Sequence, residues 1–260
     1  MRASALMVVE PGDMAGLDHA QFERLQLRLR SNPRARRLRL SVRQAQVELM
    51  IAPGFSAASI NAFVDQHRHW IIRQQQTQKG ELGRAEAALS LELDAPRVPI
   101  WGVSLPIRLI AGAPPSLQLG ADAVEIGLDA RRGNAQKALG RILRAGLGQL
   151  LRERMQKQLP ALQQRLGDRC SALRIRPLRS LWGSLSARGA ISLNLGLVFL
   201  PAALADYVLA HELAHLRQHN HSPAFWREVA SLYPQWQIAR ARLRSEHAYV
   251  QALLDRLNGA

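Results

Sequence analysis

Apolar and polar residues alternate along the first part of the chain, a period typical of half-buried β-strands. Three such runs follow one another early in the sequence, at 25–29, 38–42 and 46–51. The break Ser31-Asn32-Pro33 separates the first two runs and favours a hairpin. After Ser56, a residue placed to cap a helix, apolar residues recur at helical spacing. The polar, glutamine-rich segment 74–83 is interpreted as an exposed connection behind this helix.

A second group of strand-like runs occupies the middle of the chain, at 98–101, 105–110 and 124–128. Turns that contain glycine and proline separate these runs, which predicts a small antiparallel sheet. Helical spacing then begins at Asn134 and continues to about residue 166, with Pro160 as a kink or break.

The last third of the chain changes from strands to helix once more. Short runs at 173–176, 181–185 and 190–195 indicate strands, and an apolar helix begins near Pro201. Strands that lead into helices, with no repeat of solenoid length, predict the α+β fold class. Asn194 ends the last run, where it fits either a turn residue or a partner of a site on the next helix.

Size and cysteine content restrict the class of protein. The chain has 260 residues, enough to bury a sizeable core in one or two domains. Cys170 is the single cysteine, which excludes a disulfide within the chain and a cysteine-ligated zinc site. The apolar run 5–9 is too short for a signal peptide, and polar residues and proline interrupt the apolar stretch 191–210. We therefore expect a cytoplasmic protein with no membrane span.

Positive charge is concentrated near the N-terminus. The net charge is +15, and six arginines occur with no acidic residue among them: Arg28, Arg30, Arg34, Arg36, Arg37 and Arg39. A basic region of this kind favours an anionic partner such as nucleic acid. The same arginines also fit the solvated face of a hairpin, because leucine and valine alternate with them at period two. Both interpretations stay open here.

The segment His211-Glu212-Leu213-Ala214-His215 carries the clearest chemical signal in the chain. Positions i and i+4 of an α-helix lie on one face, so His211 and His215 can present ring nitrogens to one metal ion. Glu212 lies at the edge of that face, where a carboxylate can accept a proton from an activated water without becoming a ligand. The alternative is a core helix with two incidental histidines, but unpartnered imidazoles and carboxylates are costly to bury.

His221 supplies the third ligand of a zinc site in this interpretation. The chain can finish a turn after His215, reverse at Asn220 in a left-handed conformation and return a ring to the metal. Ser222-Pro223 then match the N-cap and first residue of another helix. Three protein ligands with an open position predict a catalytic rather than a structural zinc site. His219 is the rival third ligand, but its offset points it elsewhere if Asn220 makes the turn.

Several motifs together resemble the YgjP-like metallopeptidase domain, a group related to the SprT and WLM zincins. The motifs are Trp182-Gly183-Ser184, Ile191-Ser192-Leu193-Asn194, Asp206-Tyr207-Val208, the histidine segment above, and Asn220-His221-Ser222-Pro223 with Phe225-Trp226. The resemblance spans about residues 25–245. It implies a zincin-like fold and zinc as cofactor. It also implies the roles of four residues, namely His211, His215 and His221 as ligands and Glu212 as catalytic base.

The chain departs from the family pattern at two positions. The family reads Arg-Trp-Gly-Ser-Cys-Ser where this chain has Leu181-Trp182-Gly183-Ser184-Leu185-Ser186. The metal-binding motif is unaffected, so the departures concern the shape or the specificity of the cleft. Arg179 lies nearby in the sequence and carries a similar charge. Tyr207 and Tyr233 are candidate hydrogen-bond donors to an oxyanion.

Four parts make up the predicted domain organisation. Residues 1–22 form a poorly ordered lead-in, and 23–130 a β-rich region with one helix. Residues 131–246 form the zincin-like metal-binding catalytic domain, and 247–260 a helical tail.

The predicted function is a zinc-dependent metallopeptidase that acts on a peptide or protein substrate. The strand predicted at 190–195 would align the peptide by edge pairing. Two alternatives stay open. One is a metal-dependent nucleotide pyrophosphatase, since an activated water can also attack a phosphoanhydride. The other is a nucleic-acid-associated protease that uses the basic N-terminal region. The pattern contains no indication of the oligomeric state.

Overall fold

The computed structural model describes residues 7–9, 15–128 and 134–259. The chain divides into two compact units, Met1–Gly83 and Arg84–Ala260, called the first unit and the second unit below. The sequence-based boundary near residue 130 differs from this division, because the strands that precede it belong to the second unit.

A four-stranded sheet forms the first unit. Its strands are β1 (Met7–Val9), β2 (Leu27–Ser31), β3 (Arg39–Arg43) and β4 (Gln46–Ile51), in the order β1-β2-β4-β3. The predicted hairpin of β2 with β3 is wrong, since both strands pair with β4, β2 in parallel and β3 antiparallel. β4 takes the central place because its side chains Val47 and Leu49 are fully buried and need apolar neighbours on both sides.

Two helices accompany this sheet. α1 (His19–Arg24) begins after Asp18, whose carboxylate accepts a hydrogen bond from the Gln21 N–H at 2.9 Å. α2 (Ala57–Ala88) begins after Ser56, whose hydroxyl oxygen accepts from the Ser59 N–H at 3.3 Å, as the predicted cap. β1 and most of α1 fall within the predicted lead-in, whose stretches 1–6 and 10–14 lie outside the described residues.

The glutamine-rich segment 74–83 is not an exposed connection, because it lies inside α2. Glutamine, lysine and glutamate are good helix formers, so a polar composition alone does not end a helix. Gln75 is buried, and its side-chain amide donates to the Leu25 carbonyl oxygen at 2.9 Å. The segment therefore contributes to the core of the first unit.

The second unit begins with a mixed four-stranded sheet. Its strands are β5 (Arg97–Ile100), β6 (Val103–Ala111), β7 (Ser116–Leu119) and β8 (Val124–Leu128), in the order β5-β6-β8-β7. The expected antiparallel sheet is wrong at one pairing, since β6 and β8 run parallel. β7 was not predicted because it is short and mostly exposed, which leaves little alternation of apolar residues to detect.

A long helix follows. α3 (Ala135–Leu166) starts after Asn134, where the helix was predicted to begin, and the Asn134 side chain accepts from the Lys137 N–H at 3.0 Å. Gly167 ends it in a left-handed conformation with φ of 72°. Pro160 does not break the helix, since it lies on the exposed side, where water can satisfy the carbonyl group that proline leaves without a donor.

A three-stranded sheet leads into the last helices. Its strands are β9 (Ala172–Arg176), β10 (Gly183–Leu185) and β11 (Ala190–Asn194), in the order β10-β11-β9. β11 pairs on both sides, so the prediction that it aligns a peptide by edge pairing is wrong, and β10 is an edge instead. A 3₁₀ turn then precedes three helices, α4 (Ala202–Ala214), α5 (Pro223–Leu232) and α6 (Trp236–Gly259). α6 runs without interruption through the predicted tail 247–260 as far as Gly259.

The predicted α+β class is confirmed by these separate sheets and helices. α4 is the most buried of the last helices, with Leu209, Ala210, Leu213 and Ala214 fully enclosed. In the part of the chain that the structure describes, no helix is both long and apolar enough to cross a membrane.

Candidate metal centre

α4 and the segment that follows it bring three histidines together. His211 lies in the last turn of α4, His215 at its C-cap and His221 just before α5. The possible ligand atoms of the three rings lie within 4.8 Å of one another. The Nε2 atoms of His211 and His221 are 3.3 Å apart. His219, the rival third ligand, does not take part in this cluster.

The chain reverses between His215 and His221 without a left-handed asparagine. Asn220 is absent from the described residues with positive φ, so this part of the prediction is wrong. Its side-chain oxygen instead accepts from the Ser222 N–H at 3.3 Å, a local turn that needs no unusual backbone conformation. A second contact orients the His215 ring, because Nδ1 of His215 lies 2.9 Å from the Gln218 carbonyl oxygen. This contact leaves Nε2 of His215 free to bind a metal.

α5 supplies an aromatic wall for the cluster. Ser222 caps the helix and Pro223 opens it, as predicted, and Phe225 lies in the same first turn. The fully buried Phe225 ring lies 4.4 Å from the His215 ring, 4.9 Å from His211 and 4.8 Å from His221. One apolar side chain thus contacts all three imidazoles and limits their rotation.

Burial lowers the pKa of His211 and His215 and so favours the neutral rings that bind a cation. Burial, with a smaller effect of His215 and His221, lowers the pKa of His211 to about 3. The ring is therefore neutral at physiological pH, as metal coordination requires. Its Nδ1 atom is buried and has no hydrogen-bond partner among the described residues, which leaves a polar atom without compensation. A neutral imidazole of this kind fits a zinc ion.

Glu212 lies beside the histidines and is 5% exposed. Burial raises the pKa of its carboxyl group to about 8, and no described residue donates a hydrogen bond to it. The neighbouring strand β10 leaves room for this side chain through Gly183. A Cβ atom at Gly183 would lie 2.7 Å from Cγ and Oε1 of Glu212, closer than such atoms approach. The sequence motif contained Gly183, but only the structure explains why glycine is needed there.

A cleft of about 250 Å³ opens onto His211 and Glu212. The other residues that line it belong to β10 and the two residues before it, to α4 and to α6, namely Leu181, Trp182, Gly183, Tyr207, Val208, Arg240, Leu243 and Arg244. Sequence reasoning missed the two arginines, since no motif marks them. Leu181, one of the two departures from the family pattern, is 53% exposed.

The two candidate tyrosines lie next to each other. Tyr207 is 4% exposed, and burial raises its pKa to about 12, so the hydroxyl stays protonated and can donate. Its ring contacts those of His211 and Tyr233 at 6.0 and 5.7 Å. Of the two, only Tyr207 lines the cleft.

Asn194 is a structural residue of the strand end. It is 1% exposed, and its amide nitrogen donates to the carbonyl oxygens of Leu178 and Leu181 at 2.7 and 2.8 Å. Its side-chain oxygen accepts from the Gly196 N–H at 2.9 Å. These three bonds hold the segment that leads to β10, which supports the interpretation as a turn residue.

Comparison with known proteins identifies the family. A family model described as YgjP-like, metallopeptidase domain, matches residues 36–246. The crystal structure of the metallopeptidase zymogen of Pyrococcus abyssi abylysin is similar at 31% identity, over 35% of this chain and 93% of that chain, with a TM-score of 0.33. No curated protein matches. The family match spans most of the sequence and includes the histidine cluster and Glu212. A metallopeptidase hydrolyses peptide or protein substrates with a divalent metal. The chain therefore belongs to the YgjP-like metallopeptidase family, whose zincin-like α+β fold it shares.

Proposed function

We propose that this protein is a zinc-dependent metallopeptidase in which His211, His215 and His221 hold the metal and Glu212 is the general base. The geometry of the histidine cluster carries the proposal, since its ring nitrogens lie within 4.8 Å of one another beside a buried carboxylate of the same helix. We assign this chemistry to the second unit, which contains all four residues.

In this proposal Glu212 carries out both proton transfers of the reaction. His211, His215 and His221 would hold a zinc ion, which would supply Lewis-acid polarisation of the scissile carbonyl group and make the attacking water more acidic. Glu212 accepts the proton of that water and then delivers it to the leaving nitrogen. Burial raises the pKa of its carboxyl group, and a cation held by the neighbouring histidines would favour the carboxylate form that accepts the proton. Tyr207, protonated and close to His211, is placed to donate to the oxyanion.

Substrate alignment is assigned to β10 rather than to the strand predicted from the sequence. β10 is an edge of its sheet, and Gly183 in this strand lies against the Glu212 side chain. An extended peptide that pairs with this edge gains backbone hydrogen bonds independent of its side chains. Its scissile bond would then pass close to the proposed base.

The experiment that tests this function compares Glu212→Gln with the wild-type protein. We expect the variant to keep its zinc, measured by elemental analysis, and to lose at least ~10²- to 10⁴-fold in the rate of hydrolysis of a denatured protein. Glu228→Gln on α5 is the control, because Glu228 forms only a partly exposed ion pair with Arg217 at 3.6 Å. Full activity of Glu212→Gln would remove Glu212 as the base.

Nucleoside triphosphates form the second arm of the same experiment. Peptide hydrolysis that Glu212→Gln abolishes supports the metallopeptidase. Triphosphate hydrolysis that the same change abolishes, with no activity on peptides, would favour the nucleotide pyrophosphatase instead. A contaminating hydrolase is recognised because its activity would survive the substitution.

A further inference from the structure

We propose that Arg240 and Arg244 form a binding site for a carboxylate group of the peptide substrate, next to the scissile bond. This inference rests on the proposed peptidase function and names the class of peptide that the cleft prefers. The carboxylate has two sources, an acidic side chain close to the scissile bond or the free C-terminus of the peptide.

Both arginines lie on the face of α6 that borders the cleft. They are four positions apart in the sequence, so their side chains lie one turn apart on the same side of the helix. Both line the cleft of about 250 Å³ that also contains His211 and Glu212. Any substrate that reaches the proposed metal centre through this cleft therefore passes two guanidinium groups.

Neither arginine is neutralised by a carboxylate of the described chain. Other arginines of the second unit pair with acids, as Arg154 does with Asp206 at 2.6 Å and Arg84 with Glu246 at 2.8 Å. No described carboxylate forms such a pair with Arg240 or Arg244. Glu212, the acid that lines the cleft, forms no ion pair with either arginine among the described residues. Two positive charges thus remain available to an anionic ligand.

Aromatic stacking holds Arg240 in place. Its guanidinium lies 4.6 Å from the centre of the Trp226 ring, which in turn stacks on Trp236 at 4.2 Å. Trp226 also stacks on His221 at 5.7 Å, so this stack extends to the metal cluster. A guanidinium fixed in this way loses less conformational freedom on binding, and its planar donors match the two oxygens of a carboxylate.

The cleft therefore combines a hydrolytic centre with a fixed positive charge. A carboxylate suits this charge better than a neutral amide because the hydrogen bonds are charge-assisted. Peptides with an acidic residue near the cleaved bond, or with that bond near a free C-terminus, are the expected substrates.

The test uses four fluorogenic peptides that differ in one group at a time. One pair places glutamate or glutamine next to the expected cleavage site, and the other pair ends in a free or an amidated C-terminus. Each peptide is assayed with the wild-type protein, with R240Q/R244Q and with the control Arg242→Gln. Arg242 lies on α6 between the two arginines, is exposed and does not line the cleft.

We expect R240Q/R244Q to lower kcat/KM about tenfold or more for one of the two carboxylate peptides and less than twofold for its neutral partner. Arg242→Gln should change neither value. The pair that shows the loss identifies the source of the carboxylate. Equal losses on charged and neutral peptides, or no loss on either, would overturn the carboxylate site.

Binding to the inactive Glu212→Gln variant gives a readout independent of hydrolysis. Adding R240Q/R244Q to this variant should raise the Kd of the carboxylate peptide about tenfold and leave that of the neutral peptide unchanged. Selective binding without hydrolysis by the wild-type protein would contradict the proposed peptidase function alone. Equal Kd values for the carboxylate peptide and the neutral peptide would contradict the arginine site alone.

Discussion

Gln75 in the first unit and His211 in the second unit both place polar atoms in buried positions, but they differ in the partners of those atoms. In the first unit, the amide of Gln75 donates to the carbonyl oxygens of Leu25 and Ala45, at 2.9 and 3.4 Å. Gln21 leaves its side-chain oxygen without a partner, but its amide nitrogen donates to Asp65. In the second unit, Nδ1 of His211 is buried without a hydrogen bond from any described residue.

The difference separates buried polar groups that stabilise a fold through hydrogen bonds from buried polar groups that have no such partner. A buried polar group with a partner adds to stability, while an unpaired one costs about 1–3 kcal/mol. Gln75 belongs to the first kind. Nδ1 of His211 and the carboxyl group of Glu212 belong to the second kind, because neither has a hydrogen-bond partner among the described residues, and this lowers the stability of the second unit locally. Predictions on both units test this distinction.

The largest effect is expected at the proposed ligands. His221→Ala should lower zinc affinity more than ~100-fold, beyond the loss typical of residues that only orient a ligand, because a missing ligand has no substitute in the cluster. His219→Ala is the matched control and should leave the affinity nearly unchanged. Competition with a fluorescent chelator measures both. Equal affinity of the two variants would place the third ligand elsewhere.

Gly183→Ala should lower kcat by about 10- to 100-fold while the fold is kept. The added Cβ atom would lie 2.7 Å from Oε1 of Glu212, so the carboxylate must move away from its position. Gly148→Ala is the control, since its Cβ would meet only Leu195 Cδ1, at 3.8 Å. Circular dichroism checks the fold and a peptide assay checks the rate. Wild-type kcat in Gly183→Ala would show that the exact position of Glu212 does not matter.

A stability measurement compares the two kinds of polar group directly. Gln75→Leu should lower the free energy of unfolding by about 1–3 kcal/mol, because it leaves the buried Leu25 carbonyl oxygen without a donor. Glu212→Gln, measured in the metal-free protein at pH 7, should change it by less than about 0.5 kcal/mol. The carboxyl group is protonated under these conditions, so glutamine is a near isostere. Urea unfolding provides both values, and a large loss in Glu212→Gln would make that residue structural.

The smallest effect is expected from the arginine-rich part of the first unit. Arg30 forms an ion pair with Glu48 at 3.2 Å across two strands, which agrees with a solvated sheet face. Replacing Arg34, Arg36, Arg37 and Arg39 by glutamine should change peptide hydrolysis less than twofold. Nucleic-acid binding at physiological salt should be weak before and after the change. Strong binding whose salt dependence falls by about 0.9 per lost contact would instead support the nucleic-acid-associated protease.

Sequence patterns predicted what depends on neighbours along the chain. The spacing of His211, Glu212 and His215 on one helix is local, as are the Ser222 cap and the helix start at Asn134. These signals need no knowledge of the rest of the fold. The α+β class followed from the same local periodicities.

The features that were missed depend on distant parts of the chain. β2 pairs with β4 rather than β3 because burial decides which strand is central, and alternation alone does not report this. Gly183 and Glu212 meet only when β10 lies against α4. Arg240 and Arg244 on α6 resemble any exposed helical arginines in the sequence, and only the folded chain brings them to the cleft.

Phe225 gives the centre a property that its polar residues do not. Its ring touches all three imidazoles. It belongs to α5, which Ser222 caps and whose buried residues pack into the core without a metal. The rings are therefore in position before an ion arrives, and the affinity for the ion is not reduced by the entropy of assembling them. The polypeptide can fold first and be loaded afterwards, and it can lose its ion and recover it without refolding. The supply of metal then governs how many folded molecules are active, not how many are folded.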